Sequence, residues 1–515
     1  MIKGTFETHI TVSGDNAEGL ALFAEKYGVK FLCIELDRGD CRFQPMLTLT
    51  GSGSLDQQEA TAEQWCEWLL AAGMEPIRTK IEATPWSDGV PERDRDAARE
   101  PSGRYFEHHV KLRLPSASVA GLLAVTDLVE PHGARLSRNA RRKYEDGTEV
   151  RFVNQRCHGV GRLTASHRLE ELLAALQGYD VVSAEQEYVV YDSRLSLDDG
   201  WLDRRSRYAP SYQDRQERRM RGAISGMRDF PVTFQPVARE RGVTQWGAFD
   251  PALKQHAHAY TAGEPVFENA VAGQHWRDAR RAAMRHLLTV IAGTRWAEYL
   301  ALRGSVTMAS WVGDAAREPG DLDFVVMPAT MSAESADAKA LLAEIVGAVL
   351  ETPGAGLRPE ATVHEEIWTY ERAEGRRLVI PFSVPGVPDG TVQIDLVFGE
   401  DLPIPPEPVE VLGQVVWAAT AELSLAWKLQ WLATDSYPQG KDLYDAVLLA
   451  EYTTVDLGLV RDLIREELGH QADRFDAEAV LAWEGIDWAN FADVYPGVGG
   501  TAEEWQRRLA VALDR

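Results

Sequence analysis

Two kinds of hydrophobic pattern divide the chain. In residues 1–200, short apolar–polar alternations typical of strands are separated by segments with helical spacing. The pattern occurs twice, since Phe6-Glu-Thr-His-Ile-Thr-Val12 reappears as Phe106-Glu-His-His-Val-Lys-Leu112. Each copy has the predicted order βαββαβ, the ferredoxin-like arrangement. We therefore predict a tandem duplicated ferredoxin-like module, with repeats at residues 1–86 and 104–195.

The histidines at equivalent places in the two copies suggest a second interpretation. His9 and His109 resemble the paired histidines of 2H phosphoesterases, which carry His-hydrophobic-Thr/Ser-hydrophobic in each of two lobes. His9-Ile-Thr11-Val fits that pattern, whereas Lys111 replaces the hydroxyl residue after His109. A histidine within a strand is more often a packing residue than a catalyst. We therefore expect the module to bind a partner, with a phosphoesterase as the alternative.

Residues 196–249 carry no sustained periodicity and predict a linker. Ten arginines lie between Arg204 and Arg241, and one arginine-rich helix is predicted near Gln213–Arg221. If the protein contacts RNA, this is the segment where we expect the contact. Amphipathic helices are predicted next, at Asp250–Tyr260 and Trp276–Thr289.

Helical and strand patterns are mixed in the rest of the chain. Apolar spacing predicts a helix and three strands of a mostly antiparallel sheet, at Ala333–Leu350, Val363–Tyr370, Leu378–Ser383 and Thr391–Phe398. Residues 451–515 predict a helical region, with helices at Leu457–Leu468, Ala477–Trp483 and Ala502–Leu513. The predicted fold class is therefore α+β, with a mixed sheet and a helical tail in the C-terminal part.

Candidate chemistry begins at Gly304-Ser305, which precedes an apolar helical segment. A glycine–serine turn at a helix start leaves backbone N–H groups free to bind phosphate. After a spacer, Asp321-Leu-Asp323 runs into an apolar strand, and alternate residues of a strand share a face. Two carboxylates held close together repel each other unless a cation lies between them, so a metal site is predicted here.

A third carboxylate lies in the strand Thr391–Phe398. Asp395 is flanked by apolar residues, and a carboxylate buried in a central strand is unfavourable by several kcal/mol unless a metal or cation neutralises it. We expect it to join the Asp321–Asp323 pair.

Lysine and aspartate residues on two later helices complete the candidate set. Lys428 lies among apolar residues of one helix, where its ammonium group could reach phosphate oxygens. Asp442 and Asp445, three apart on the next helix, share a face, with Lys441 beside them. Each alone is typical of an ordinary helix surface.

In this order the motifs resemble the nucleotidyltransferase superfamily, and within it the AbiEii/AbiGii toxin family, over about Leu302–Ala450. The spacer after Gly304-Ser305 is long for the pattern, and Lys441 stands where arginine is commoner. The resemblance implies a nucleotidyltransferase domain at residues 250–450 that moves a nucleoside monophosphate from an NTP, ATP included, to an acceptor and releases pyrophosphate.

The resemblance also implies residue roles. Asp321, Asp323 and Asp395 would hold two Mg²⁺ ions, while Gly304 and Ser305 would bind the phosphates. Lys428 would neutralise the triphosphate, and the remaining residues would orient the nucleotide or Lys428; these are Lys441, Asp442 and Asp445. The implied physiology is a toxin that modifies tRNA and acts in phage defence, restrained by an antitoxin protein.

Composition narrows these expectations. The 515 residues carry a net charge of −25, which argues against general nucleic-acid binding and against DNA as a partner. A protein or small-molecule acceptor therefore stays open beside RNA. The four cysteines form no Cys-x-x-Cys pair and no apolar run reaches membrane-spanning length, so we expect reduced thiols, no membrane association and a cytoplasmic location.

Overall fold

The structure, a computed structural model, describes residues 2–114, 118–140, 148–202, 242–249, 260–369 and 373–515. The chain divides into two compact units, Met1–Ser206 and Arg207–Leu513. The predicted helix near Gln213–Arg221 and residues 250–259 of the next predicted helix lie outside the described residues. None of the helices in the described ranges has the length and apolarity needed to cross a membrane.

The first unit contains eight strands and the helices between them. The strands are β1 Lys3–Val12, β2 Lys30–Leu36, β3 Phe43–Ser54, β4 Pro76–Ala83, β5 Tyr105–Leu114, β6 Ala134–Asn139, β7 Glu149–His158 and β8 Asp180–Asp192. The α-helices are α1 Ala17–Tyr27, α2 Leu55–Ala71, α3 Asp94–Ala97, α4 Val119–Val129 and α5 Arg162–Ala175. Strand, helix, strand, strand, helix, strand thus follow one another twice, apart from the short α3 between the two copies. The ferredoxin-like assignment itself stays a prediction.

The eight strands close into a single barrel. Its order is β1-β3-β2-β6-β7-β5-β8-β4, and the two copies join through the β2–β6 and β4–β8 pairs. Apolar residues on one face of the strands pack under the helices, as Ile10 and Leu47 do with Leu69 of α2. Because side chains alternate along a strand, the intervening polar residues share the other face. Glu82 and Glu107 are buried there, and the partly buried Lys80 pairs with both of them.

Two features of the described chain bear on earlier predictions. All four cysteines are free thiols, of which Cys33 and Cys157 are buried. The predicted linker, residues 196–249, was wrong at both ends. Asp198 and Trp201 are buried and bonded to residues of the first unit, and β9, Val243–Phe249, pairs with β10, Tyr260–Phe267. β9 contains Gly247 and lacks a regular apolar–polar alternation. It is a strand because it pairs with β10, and its own sequence pattern does not predict this.

The second unit is built on a seven-stranded mixed sheet. Its strands are β11 Leu300–Arg303, β12 Leu322–Val326, β13 Val363–Thr369, β14 Ala373–Phe382, β15 Gly390–Val397, β16 Glu407–Val411 and β17 Gln414–Ala418. The order is β13-β14-β15-β12-β11-β17-β16, in which β12–β15 and β11–β17 are parallel and the other pairs antiparallel. This agrees with the predicted α+β class.

Helices cover both faces of this sheet. They are α6 Ala270–Ala292, α7 Ser305–Val312, α8 Ala336–Glu351, α9 Ala421–Thr434, α10 Gly440–Tyr452, α11 Leu457–Leu468, α12 Trp488–Val494 and α13 Ala502–Leu513. The main core joins α6 and α8 to one face of the sheet, and α9 packs on the other face against Val325. The predicted helix Ala477–Trp483 is a shorter 3-10 helix, Glu478–Ala482.

Candidate active site

The candidate residues of the sheet lie in one row across four strands. Arg303 pairs in register with Asp323, Asp323 with Asp395, and Asp395 with Arg377. The residues on either side of them, such as Phe324 and Leu396, belong to the core under α6 and α8. Since side chains alternate, the four charged side chains all point to the opposite face. These side chains form a charged strip across the sheet, positive at Arg303, negative at Asp323 and Asp395, and positive at Arg377.

Arginine side chains hold the two aspartates of this row. Arg377 donates from Nε to Oδ1 of Asp395 at 2.7 Å and from Nη2 to Oδ2 at 2.6 Å. Arg303, which is buried, lies 3.5 Å from Oδ2 of Asp323 and donates to Glu400 at 2.6 Å. The cation that sequence reasoning required for Asp395 is therefore present in the protein itself.

Asp321 lies immediately before β12 and adds a third carboxylate to the group. Burial, followed by the charges of Asp321 and Asp395, raises the pKa of Asp323 to about 7 against the opposing effect of Arg303. Burial and Asp321 also raise the pKa of Asp395, although Arg377 works in the other direction. The three carboxylates lie near one another because Asp323 pairs in register with Asp395 and Asp321 is two residues from Asp323, and their mutual repulsion favours the protonated forms.

The three aspartates are not gathered around a single point. Among the described residues, their oxygens do not all lie within 4.8 Å of one another, and both oxygens of Asp395 are taken by Arg377. Asp321 and Asp323 fit the carboxylate donors that Mg²⁺ prefers. For Asp395 to bind the same ion, one of its oxygens would first have to give up its hydrogen bond from Arg377.

Gly304 places backbone directly against the carboxylate row. Its φ of 84° and ψ of −161° belong to a region that is essentially restricted to glycine. A Cβ there would lie 3.4 Å from the Cβ of Asp323. Gly304 precedes α7, which begins at the buried Ser305, so the first N–H groups of this helix start beside Asp323.

A second cluster joins α9 to α10. The buried Lys428 lies 2.6 Å from Oδ1 of Asp442 and 3.3 Å from Oδ2 of Asp445. Arg317 donates to Asp445 as well, at 2.9 Å. Burial alone would raise the pKa of Asp442, but Lys428 and then Lys441 outweigh it and hold that pKa below its usual value. Lys441 itself is half-buried.

Sequence reasoning missed three arginines of these clusters. Arg303 ends the apolar strand segment Leu300–Arg303, Arg377 precedes the apolar segment that starts at Leu378, and Arg317 lies within the spacer between Ser305 and Asp321. A usable signal existed for Arg377, since it is two strand positions from the apolar Val379 and shares its face. The partner of each arginine depends on strand register and on the course of the spacer, which no local pattern specifies.

Residues 256–511 match the sequence model of a family described as "Nucleotidyl transferase AbiEii toxin, Type IV TA system". The C-terminal half of the chain belongs to the AbiEii family. The match contains every candidate site residue named above and most of the helical tail, whereas the barrel lies outside it. It confirms the resemblance seen in the sequence.

Two further comparisons add little to the AbiEii assignment. A solved structure of a mutant chlorite dismutase from Candidatus Nitrospira defluvii is 13% identical to this protein, over 39% of this chain and 96% of that chain. Its TM-score of 0.13 carries no argument about fold or function. No curated protein matches the chain.

Proposed function

We propose that the AbiEii domain catalyses Mg²⁺-dependent transfer of a nucleoside monophosphate from an NTP to an acceptor, with release of pyrophosphate. The observation that carries this proposal is the register pairing of Asp323 with Asp395 on one face of the sheet, with Asp321 beside them. Two neighbouring strands that both bear carboxylates suit a nucleotide whose phosphates are bound through a divalent ion.

Metal binding would fall to Asp321 and Asp323 first, with Asp395 joining as Arg377 releases one of its oxygens. Bound Mg²⁺ would supply charge stabilisation for the in-line displacement at the α-phosphate. Asp395 would then accept the proton of the attacking hydroxyl or complete the second metal site. Arg377 and Arg303 flank the row and would offset the negative charge that the triphosphate brings.

Phosphate binding would use the turn at Gly304 and the cations near α9 and α10. Because a side chain is absent at Gly304, the triphosphate could approach the N–H groups that open α7. Asp442 and Asp445 fix the ammonium group of Lys428, and we propose that they orient it toward the nucleotide. Lys441, which is less buried, would contribute positive charge at the same end of α10.

The family description supports an antitoxin partner, and the acceptor is part of the proposal. A type IV toxin–antitoxin system implies an antitoxin partner, and we propose tRNA as the acceptor, with action in the cytoplasm and in phage defence. The second candidate is nucleotidylation of a protein or small molecule, which the net charge of −25 favours. We further propose repeats at 1–86 and 104–195, a nucleotidyltransferase domain at 250–450 and a helical region at 451–515.

The test is transfer of label from each NTP, labelled at the α-phosphate, to total tRNA in the presence of Mg²⁺. We expect labelled tRNA with the natural protein and none with Asp323→Asn, while the matched control Asp389→Asn, at an exposed ion pair in the same domain, retains transfer. Label on protein alone would select the second candidate. Equal labelling by Asp323→Asn would refute the site.

A further inference from the structure

The barrel contains a histidine–carboxylate group that the proposed transfer reaction does not use. His9 on β1 and His109 on β5 occupy equivalent positions, and each faces a polar residue on the neighbouring strand: Thr48 for His9 and Asn154 for His109. Thr48 can donate a hydrogen bond to His9, whereas the amide oxygen of Asn154 can only accept one from His109. The two imidazoles therefore carry their hydrogens on different nitrogens.

Asn154 fixes the tautomer of His109. The Nδ2 group of Asn154 donates to Oγ of Ser137 at 2.8 Å and to the carbonyl of Phe152 at 3.2 Å, so its Oδ1 is the atom that faces His109. Nδ1 of His109 lies 2.7 Å from that oxygen. An amide oxygen only accepts, so Nδ1 carries the hydrogen, and in the neutral ring the lone pair is on Nε2.

Nε2 of His109 faces carboxylates. Oε2 of Glu187 lies 3.4 Å away, and the ligand atoms of His109, Glu187 and Glu82 all lie within 4.8 Å of one another. A lone pair directed at two carboxylates is repulsive, so Nε2 holds a proton when no metal is bound, and a metal ion bound by the three groups must displace that proton. The 3.4 Å separation is long for a hydrogen bond but close to the distance of about 3.3 Å between two ligands of a tetrahedral Zn²⁺ ion with bonds near 2.0–2.1 Å.

His9 has the opposite arrangement. Its Nε2 lies 2.9 Å from Oε2 of Glu82, which as a carboxylate only accepts, so Nε2 donates. Its Nδ1 then accepts from the hydroxyl of Thr48 at 3.0 Å. Oε1 of Glu82 is paired with Lys80 at 2.7 Å. Glu82 is therefore held in place from both oxygens, as ligating carboxylates commonly are.

We propose that Glu82, His109 and Glu187 bind a divalent first-row transition metal ion such as Zn²⁺ inside the barrel, with His9 and Asn154 positioning the ligands. One neutral imidazole nitrogen and two carboxylate oxygens form a donor set suited to Zn²⁺ and leave a coordination position open. The His109 and Glu187 side chains are 26% and 21% exposed, so an ion can reach them from solvent. A proton on Nε2 of His109 competes with the metal ion for this position.

The experiment measures Zn²⁺ binding by titration calorimetry to the full-length protein carrying Asp321→Asn and Asp323→Asn, which removes the proposed site of the AbiEii domain. After treatment with a chelator, we expect one Zn²⁺ per chain. His109→Gln and, independently, Glu187→Gln should each weaken binding by more than about 100-fold, and Asn154→Ala by about 10- to 100-fold. Circular dichroism verifies that each variant is folded.

Glu170→Gln is the matched control, because Glu170 is an exposed carboxylate on α5, outside the barrel strands. It should leave the affinity unchanged. The proposal is overturned if the parent binds no Zn²⁺, which would mean that the position holds only a proton. It is also overturned if His109→Gln and Glu187→Gln bind as tightly as the control.

Discussion

Asp323 and Asp395 stand opposite each other on two neighbouring parallel strands, with their side chains on the same face of the sheet. Arg303 and Arg377 flank them on the outer strands of the row. Because the four charged residues are in register, single substitutions can test how much each one contributes to the stability of this face of the sheet.

Removing Arg377 should destabilise the protein. Its bidentate partner Asp395 is buried and would keep a carboxylate without a counter-charge, so Arg377→Met should lower the free energy of unfolding by about 3–5 kcal/mol. Denaturant titration measures the change. Arg358→Met, which breaks an ion pair with Asp389 that is about half exposed, should change it by less than about 1 kcal/mol. Equal losses of unfolding free energy in the two variants would contradict the conclusion that Arg377 and Asp395 form a buried ion pair.

The stability of the metal-free protein should depend on the protonation of Asp323. Because the pKa of Asp323 is about 7 in the folded state and near 3.8 when unfolded, the folded state binds the extra proton between these values. The resulting stabilisation is complete below about pH 4 and is lost as the pH rises through about 7.

Denaturant titrations with chelator present, across that pH window, test this expectation. The free energy of unfolding of the natural protein should fall with rising pH relative to Asp323→Asn, which has no proton to lose. The control Glu360→Gln, at an exposed position, should follow the natural protein. A difference between the natural protein and Asp323→Asn that does not vary with pH would count against the raised pKa.

Lys428 should be important for folding as well as for activity. Lys428→Met would leave Asp442 buried without its closest cation, although Arg317 would still neutralise Asp445. We expect a loss of about 3–5 kcal/mol in the free energy of unfolding together with a higher pKa of Asp442. Lys441→Met, at a half-buried position, should cost less than about 1 kcal/mol while reducing nucleotide affinity. Unchanged stability of Lys428→Met would show that the cluster is not a structural pair.

Gly304 should not tolerate a side chain. Gly304→Ala forces alanine into a backbone region that is unfavourable by about 1–3 kcal/mol and places its Cβ against Asp323. Transfer activity should fall, because relief of this backbone strain shifts the start of α7, which lies beside Asp323. Gly320→Ala, where a Cβ would meet open space, should retain both stability and activity. Comparable activity of the two variants would contradict the proposal that the triphosphate approaches the backbone closely at Gly304.

The candidate site could be predicted where local pattern carried the information. The apolar residues around Asp395, Ile394 and Leu396 among them, indicated a buried strand and so a neutralised carboxylate. The helix at Leu457–Leu468 was predicted with the bounds that the structure has, because its apolar spacing is regular. Both cases depend on residues close together in the sequence.

The remaining features depend on pairing between distant segments. Closure of the barrel requires β2 to meet β6 and β4 to meet β8, and edge pairing of this kind is invisible in the alternation of any one strand. In the same way, Arg377 was an ordinary polar position until register placed it opposite Asp395. The sequence predicted that a cation was needed, but it could not say that an arginine would supply it.

The strip formed by Arg303, Asp323, Asp395 and Arg377 has as many positive as negative charges. Each aspartate of the strip has an arginine as its counter-charge, so the folded sheet does not need a bound ion to neutralise the strip. Binding of the proposed divalent ion would then be an exchange on an assembled sheet rather than a condition for its assembly.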